Sequence, residues 1–110
     1  MNEDKKIILR GVPASPGIAF GKVAILKSPT DESKMEEGDI LVTQETTPEY
    51  TIAILKASAI VTDRGGILSH PAIVAREMGI PGVVGTGNAT QKLKDGMLVK
   101  VDGKEGIIYE

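Results

Sequence analysis

The sequence contains no cysteine and no tryptophan, one phenylalanine, two tyrosines and a single histidine, His70. Without cysteine there is no disulfide framework and no thiolate metal site, which fits a reducing cytosol. With aromatics at 3%, the core must be built from Ile, Val, Leu, Met and Ala, and no aromatic platform is left for stacking bases. Thirteen Lys and Arg against fifteen Asp and Glu give a formal charge of -2, so the chain lacks the cationic footprint of a nucleic-acid binder. No apolar run reaches the length of a membrane span, and the start, Met1-Asn2-Glu3-Asp4-Lys5-Lys6, mixes charges where a signal peptide would be apolar. One histidine among scattered carboxylates excludes a conventional metal site. These absences predict a single soluble, cytoplasmic domain over residues 1–110, with no nucleic acid and no membrane among its partners.

What is present is a succession of short elements. Residues 7–12 read as a strand ending at Pro13, followed by a turn at Ala14-Ser15-Pro16-Gly17 and a strand from Ile18 to Lys27, in which Gly21 marks a bulge or bend. The polar stretch from Ser28 to Gly38 reads as a surface loop with room for a helical turn. Residues 39–44 and 59–62 have strand length and are apolar, and Val83-Val84, 97–101 and 107–109 are further short strands. Helices are expected over 48–57, with Pro48 in the first turn, and over 71–78, closed by Gly79 with Pro81 beyond. Residues 88–93 have the character of a helical turn. Strands outnumber helices, and the helices lie mid-chain, which predicts an α+β domain with β/β/α layering.

The stretch from Val61 to Ala72 (VTDRGGILSHPA) carries the chemistry. It runs strand, glycine loop, histidine, helix start. Pro71 disfavours helical backbone in the residue before it, which places His70 at the helix boundary. Unpaired N–H groups and the positive end of the helix dipole favour an anion there. Gly65 and Gly66 would let backbone amides approach a phosphate closely. An exposed imidazole is mostly neutral and nucleophilic above pH 7. The expected picture is a largely exposed histidine on an anion-friendly rim.

Residues 63–85 (DRGGILSHPAIVAREMGIPGVVG) closely resemble the phosphohistidine signature of the phosphoenolpyruvate (PEP)-utilising enzymes. The resemblance extends upstream through Ala14-Ser15-Pro16-Gly17, Gly21-Lys22-Val23, 39–42 and Thr47-Pro48, and downstream through 85–90 and 95–109, covering nearly the whole chain. Phosphoenolpyruvate synthase-like and pyruvate phosphate dikinase-like members resemble it more than enzyme I of the sugar phosphotransferase system does. The resemblance implies a β/β/α swivelling domain whose histidine relays a phosphoryl group between an ATP site and a pyruvate or PEP site. By position, His70 becomes the phosphoacceptor through its distal nitrogen, Gly65, Gly66 and Ser69 form the loop around it, and Thr47 matches a threonine that contacts the histidine. Arg76 and Glu77 match an Ala-Arg-Glu pattern, either as an exposed pair or as a phosphate contact. The implied partners are an ATP-grasp nucleotide-binding domain and a PEP/pyruvate barrel domain, in cis or in trans. ATP and Mg2+ are implied on those domains, with no cofactor here and no turnover expected of this chain alone.

Some positions depart from that pattern. Leu68 stands where many members have a threonine that is a regulatory phosphorylation site in some of them, and Pro71 and Gly82 replace common alanines. The final acceptor stays open: pyruvate with water or phosphate as co-substrate, or something larger. Rival readings are a hydrolase built on Ser69, His70 and Asp63, a nucleotide loop at residues 85–90, and a non-catalytic swivel-fold interaction domain. Adjacent Ser and His side chains normally diverge, which opposes the first. A lone Gly-x-Gly with no long helix after it opposes the second. The retained histidine in an intact loop opposes the third.

Overall fold

The apolar runs near residues 40, 60 and 83 have no polar face to offer solvent, so they must be covered on both sides. The computed structural model, which describes residues 6–110, places them at the centre of an eight-stranded sheet. Its strands are β1 (Ile7–Arg10), β2 (Val12–Ser15), β3 (Ile18–Ile25), β4 (Ile40–Thr43), β5 (Ala59–Thr62), β6 (Gly82–Val84), β7 (Leu98–Asp102) and β8 (Ile107–Tyr109). The helices are α1 (Thr51–Lys56), α2 (His70–Met78) and α3 (Ala89–Lys92), with 3₁₀ turns at Pro29–Lys34 and Pro48–Tyr50. The expected helix over 48–57 therefore begins as a 3₁₀ turn and becomes α-helical only at Thr51.

Strand order is β1-β8-β7-β3-β4-β5-β6-β2. β3 joins two layers: Ile18–Lys22 pair antiparallel with β7, and Val23–Ile25 pair parallel with β4. β1 and β2 stand at opposite ends of that order, yet only Gly11 separates them in the chain. The sheet must curl until its ends meet, and the Gly11 N–H reaches the Gly106 carbonyl at 2.8 Å. The curl encloses Leu9, Val23, Ile40, Val42, Val61, Val83, Val101 and Ile108. Side chains alternate across a strand, so Leu41 and Ile60 face the other way, against Ala53 and Ile54 of α1 and Ala75 of α2. The result is the β/β/α layering expected.

Two local expectations need correcting. Pro13 does not end a strand; it lies inside β2, which pairs only with β6 at the sheet edge, where a missing N–H costs no ladder bond. Of the bulge or bend expected at Gly21, the bulge is excluded, because Gly21 pairs in regular register with Val99. A side chain is excluded there by the Gly38 carbonyl oxygen, 2.7 Å from where a Cβ would stand.

Candidate functional site

The parallel strands β4, β5 and β6 end side by side, and the segments that leave them build the site. Open α/β sheets place ligands at such carboxyl ends. The loop after β5 is tied to both neighbours: Asp63 N–H donates to the Thr43 carbonyl, Arg64 N–H to that of Gln44, and Gly87 N–H to that of Asp63. The Thr62 hydroxyl, fully buried, donates to the Arg64 carbonyl at 2.6 Å and closes the turn. Gly65 then adopts φ +120, and a Cβ would stand 2.7 Å from Ser69 Oγ. Only glycine fits that backbone without strain.

Ser69 is the N-cap of α2, but its hydroxyl does not cap the helix. It turns back and donates to the Gly66 carbonyl at 2.7 Å, which leaves the first turn of α2 uncapped beside His70. His70 opens the helix, with Pro71 behind it where a missing N–H does no harm. The helix ends at Gly79, as its sequence predicts.

His70 is half-buried rather than largely exposed. Its Nδ1 is hydrogen-bonded to Thr46 Oγ1 at 2.8 Å, and Thr46 is only 5% exposed. Among the described residues Nε2 has no hydrogen-bond partner. The threonine on the histidine is therefore Thr46, and Thr47 is displaced from the expected role. Thr47 has extended backbone (φ -128, ψ 172), in which neighbouring side chains point to opposite sides. With Thr46 turned to the imidazole, Thr47 faces outward and lines an adjoining cleft of about 610 Å³ with Gln44, Glu45 and Tyr50. His70 does not line that cleft.

Arg76 is exposed, but its guanidinium is not free. Its Nη1 donates to the Ala14 carbonyl at 2.8 Å and its Nη2 to that of Ile67 at 2.7 Å, bracing the loop before His70 against β2. Glu77 is exposed. The rival constellations do not assemble. Asp63 accepts from Thr90 N–H (2.9 Å) and the Thr90 hydroxyl (2.6 Å), and Ser69 bonds within its own loop, so neither reaches the imidazole. At the start of α3, Thr86 Oγ1 accepts from Ala89 N–H and Asp63 holds Thr90 N–H, so that turn is capped from within rather than prepared for a nucleotide.

This geometry can be set beside known proteins. The sequence profile of the family described as PEP-utilising enzyme, mobile domain, matches residues 35–106. A probable phosphoenolpyruvate synthase of Archaeoglobus fulgidus is 60% identical over 105 residues, covering 96% of this chain and 14% of that protein. The phosphoenolpyruvate synthase of Pyrococcus furiosus is 53% identical over 108 residues, covering 98% of the chain and 13% of the relative. The chain thus spans a small part of the length of the curated relatives it matches. Among solved structures, the solution structure of an Enzyme I protein is similar at a TM-score of 0.61 and 42% identity, over 71% of this chain and 32% of the other. The aconitase X of Thermococcus kodakaraensis shares the fold at a TM-score of 0.69 and 22% identity, over 92% of this chain and 95% of the other. With the profile match covering more than half its length and the histidine loop inside that match, the chain belongs to the mobile-domain family of PEP-utilising enzymes.

Proposed function

We propose that this chain is a phosphohistidine carrier, relaying a phosphoryl group on His70 Nε2 between an ATP site and a pyruvate or PEP site on other domains. The observation that carries the reading is the asymmetry of the imidazole: Nδ1 is held by a buried hydroxyl and Nε2 is left without a protein partner among the described residues. For Nε2 to attack, its lone pair must be free, which puts the ring proton on Nδ1 with Thr46 Oγ1 as acceptor. The lone pair then attacks phosphorus, the P–N bond forms, and the P–O bond to the leaving oxygen breaks with its electron pair on that oxygen. The ring now carries positive charge and keeps its Nδ1 proton on Thr46. In the return step an acceptor oxygen attacks, and the P–N pair goes back to Nε2.

The uncapped start of α2 favours the added negative charge by about 0.3–1 kcal/mol. That is small beside the energy of the phosphoryl bond, as suits a carrier that must release its load. ATP and Mg2+ belong, on this reading, to an ATP-grasp partner domain and the carbon substrate to a barrel domain. Phosphoryl transfer needs metal ions and cationic clamps, and the carboxylate of the histidine loop, Asp63, is already held by Thr90. The names of the relatives favour a phosphoenolpyruvate synthase-like setting. The test mixes this chain with ATP, Mg2+ and the full-length Archaeoglobus relative, its own histidine disabled. Label should appear on His70, stable in base and labile in acid, and vanish in His70→Ala. Acid-stable label, or label retained in His70→Ala, would refute the proposal.

A further inference from the structure

Three cations, Lys56, Arg64 and Arg76, lie between the end of β4 and the end of α2. Lys56 is paired with Glu32 at 3.0 Å, and Arg76 has its guanidinium on two carbonyls. Arg64 is exposed, and among the described residues its guanidinium makes no hydrogen bond and no ion pair. An unpaired arginine on a surface is ordinary by itself. What sets this one apart is where its backbone is held. Its N–H donates to the Gln44 carbonyl at 2.9 Å, and its own carbonyl accepts from the Thr62 hydroxyl at 2.6 Å. Gln44 stands two residues before Thr46, the partner of His70 Nδ1, a span of at most about 7 Å. On the other side the next residue, Gly65, lies against Ser69, which immediately precedes His70; a Cβ on Gly65 would meet Ser69 Oγ at 2.7 Å. Arg64 is thus fixed between the two segments that flank the imidazole.

We propose that Arg64 binds the phosphoryl oxygens once His70 Nε2 is loaded, its guanidinium moving from solvent onto the new anion. This deepens the carrier reading and rests on it. A loaded Nε2 brings two negative charges to a rim where the other charged groups are committed or of the wrong sign. Asp63 is held by Thr90, Arg76 braces its two carbonyls, and Glu77 is exposed toward the far end of α2. Glu45, beside Gln44, is exposed and would repel the group, yet it makes no ion pair with Arg64. The guanidinium is therefore left unneutralised in the empty carrier. Its planar fork of donors matches phosphate oxygens, and its long stem lets it follow the group without disturbing the loop. The uncapped start of α2 supplies N–H dipoles, and Arg64 adds the full positive charge that those dipoles lack.

The experiment loads this chain with potassium phosphoramidate, from whose phosphorus Nε2 displaces ammonia, and needs no partner domain. Phosphorus-31 NMR then follows the bound phosphoryl group through its second ionisation. A bound guanidinium favours the dianion, so Arg64→Gln should raise that pKa by about half a unit, as the loss of an exposed charge pair does. Arg64→Lys should recover part of the shift, since it keeps the charge and loses the fork. Added salt should shrink the difference between wild type and Arg64→Gln. Lys104→Gln also removes one exposed positive charge, but from the turn between β7 and β8, and should leave the pKa in place. The melting temperature of Arg64→Gln should match wild type, because both backbone bonds at that residue remain. An unchanged phosphoryl pKa in Arg64→Gln, or the same shift in Lys104→Gln, overturns the role of Arg64 and leaves the carrier reading standing. Failure of the reagent to load His70 in the wild type overturns the carrier reading, and the role of Arg64 with it.

Discussion

Replacing Thr46 with valine keeps the β-branched shape and removes the oxygen that holds Nδ1 of His70 at 2.8 Å. In the unphosphorylated protein both partners are neutral, and such a bond contributes about 0.5–1.5 kcal/mol net. Once Nε2 carries a phosphoryl group the ring is cationic, and a bond to a charged group contributes about 1.5–3 kcal/mol. The difference between those ranges, about 1–1.5 kcal/mol, is the share of the phosphorylated state that depends on Thr46. Thr46→Val should therefore lower the equilibrium fraction of phosphorylated His70 about five- to tenfold, while costing the fold about 1 kcal/mol. Two assays check this. Nitrogen-15 chemical shifts of the imidazole report which nitrogen bears the proton, and should move from a fixed Nδ1–H in wild type to a mixture in the variant. Quantified acid-labile label reports the equilibrium. Thr46→Ser, which restores the hydroxyl, should recover most of both. An unchanged tautomer and unchanged labelling in Thr46→Val would refute the positioning role, and a stability loss alone would show the hydroxyl to be merely structural.

The other expectations concern the scaffold of the loop and the response of the fold to acid. Gly65→Ala should destabilise by about 1–3 kcal/mol, because φ +120 is strained for any side chain and Ser69 Oγ occupies the space, readable as a lowered Tm. Arg76→Ala removes the brace between Ala14 and Ile67 and should cost about 1–2 kcal/mol in urea unfolding; Arg76→Lys should recover little of it, since one ammonium lacks the planar fork. For Asp95, burial pushes its carboxyl up, but the Ile25 N–H and the Lys34 ammonium outweigh that and hold it below the usual carboxylate range. A depressed folded pKa gives stability that is present above the usual carboxylate pKa and lost as pH falls through the folded value. Asp95→Asn should flatten that acid limb of the stability profile, by no more than about 1 kcal/mol for so exposed a pair.

The parts legible in the sequence were those whose neighbours are near in the chain or whose surroundings are uniform. β4 and β5 could be read because both faces of each are covered, which leaves an unbroken apolar run. The histidine loop could be read because glycines, Pro71 and Gly79 act on local backbone. The place of Pro13 inside a strand is not legible locally, because only the sheet order shows that β2 is an edge, and that order depends on pairing with β6 some seventy residues away. The resemblance, through its Thr-Pro pair, points to Thr47. Which of two adjacent threonines faces the imidazole depends on the parity of an extended segment, set by where β4 ends. The brace made by Arg76 was invisible for a similar reason, since one of its acceptors, Ala14, lies 62 residues away in the chain.

The closing of the sheet on itself also brings the two ends of the described residues together. β1 runs antiparallel to β8 with Ile7 opposite Tyr109, and Glu110 N–H donates to the Lys6 carbonyl at 2.8 Å. Residues 6 and 110 are therefore bound across a single rung, while His70 belongs to the other layer, beyond the parallel strands. Connections made at those two residues would share one point of attachment. A body clamped at two distant points must bend to reorient, whereas one hung from a single point can turn as a rigid whole. A rotation about that point would turn His70 with the rest of the domain without breaking a hydrogen bond inside it.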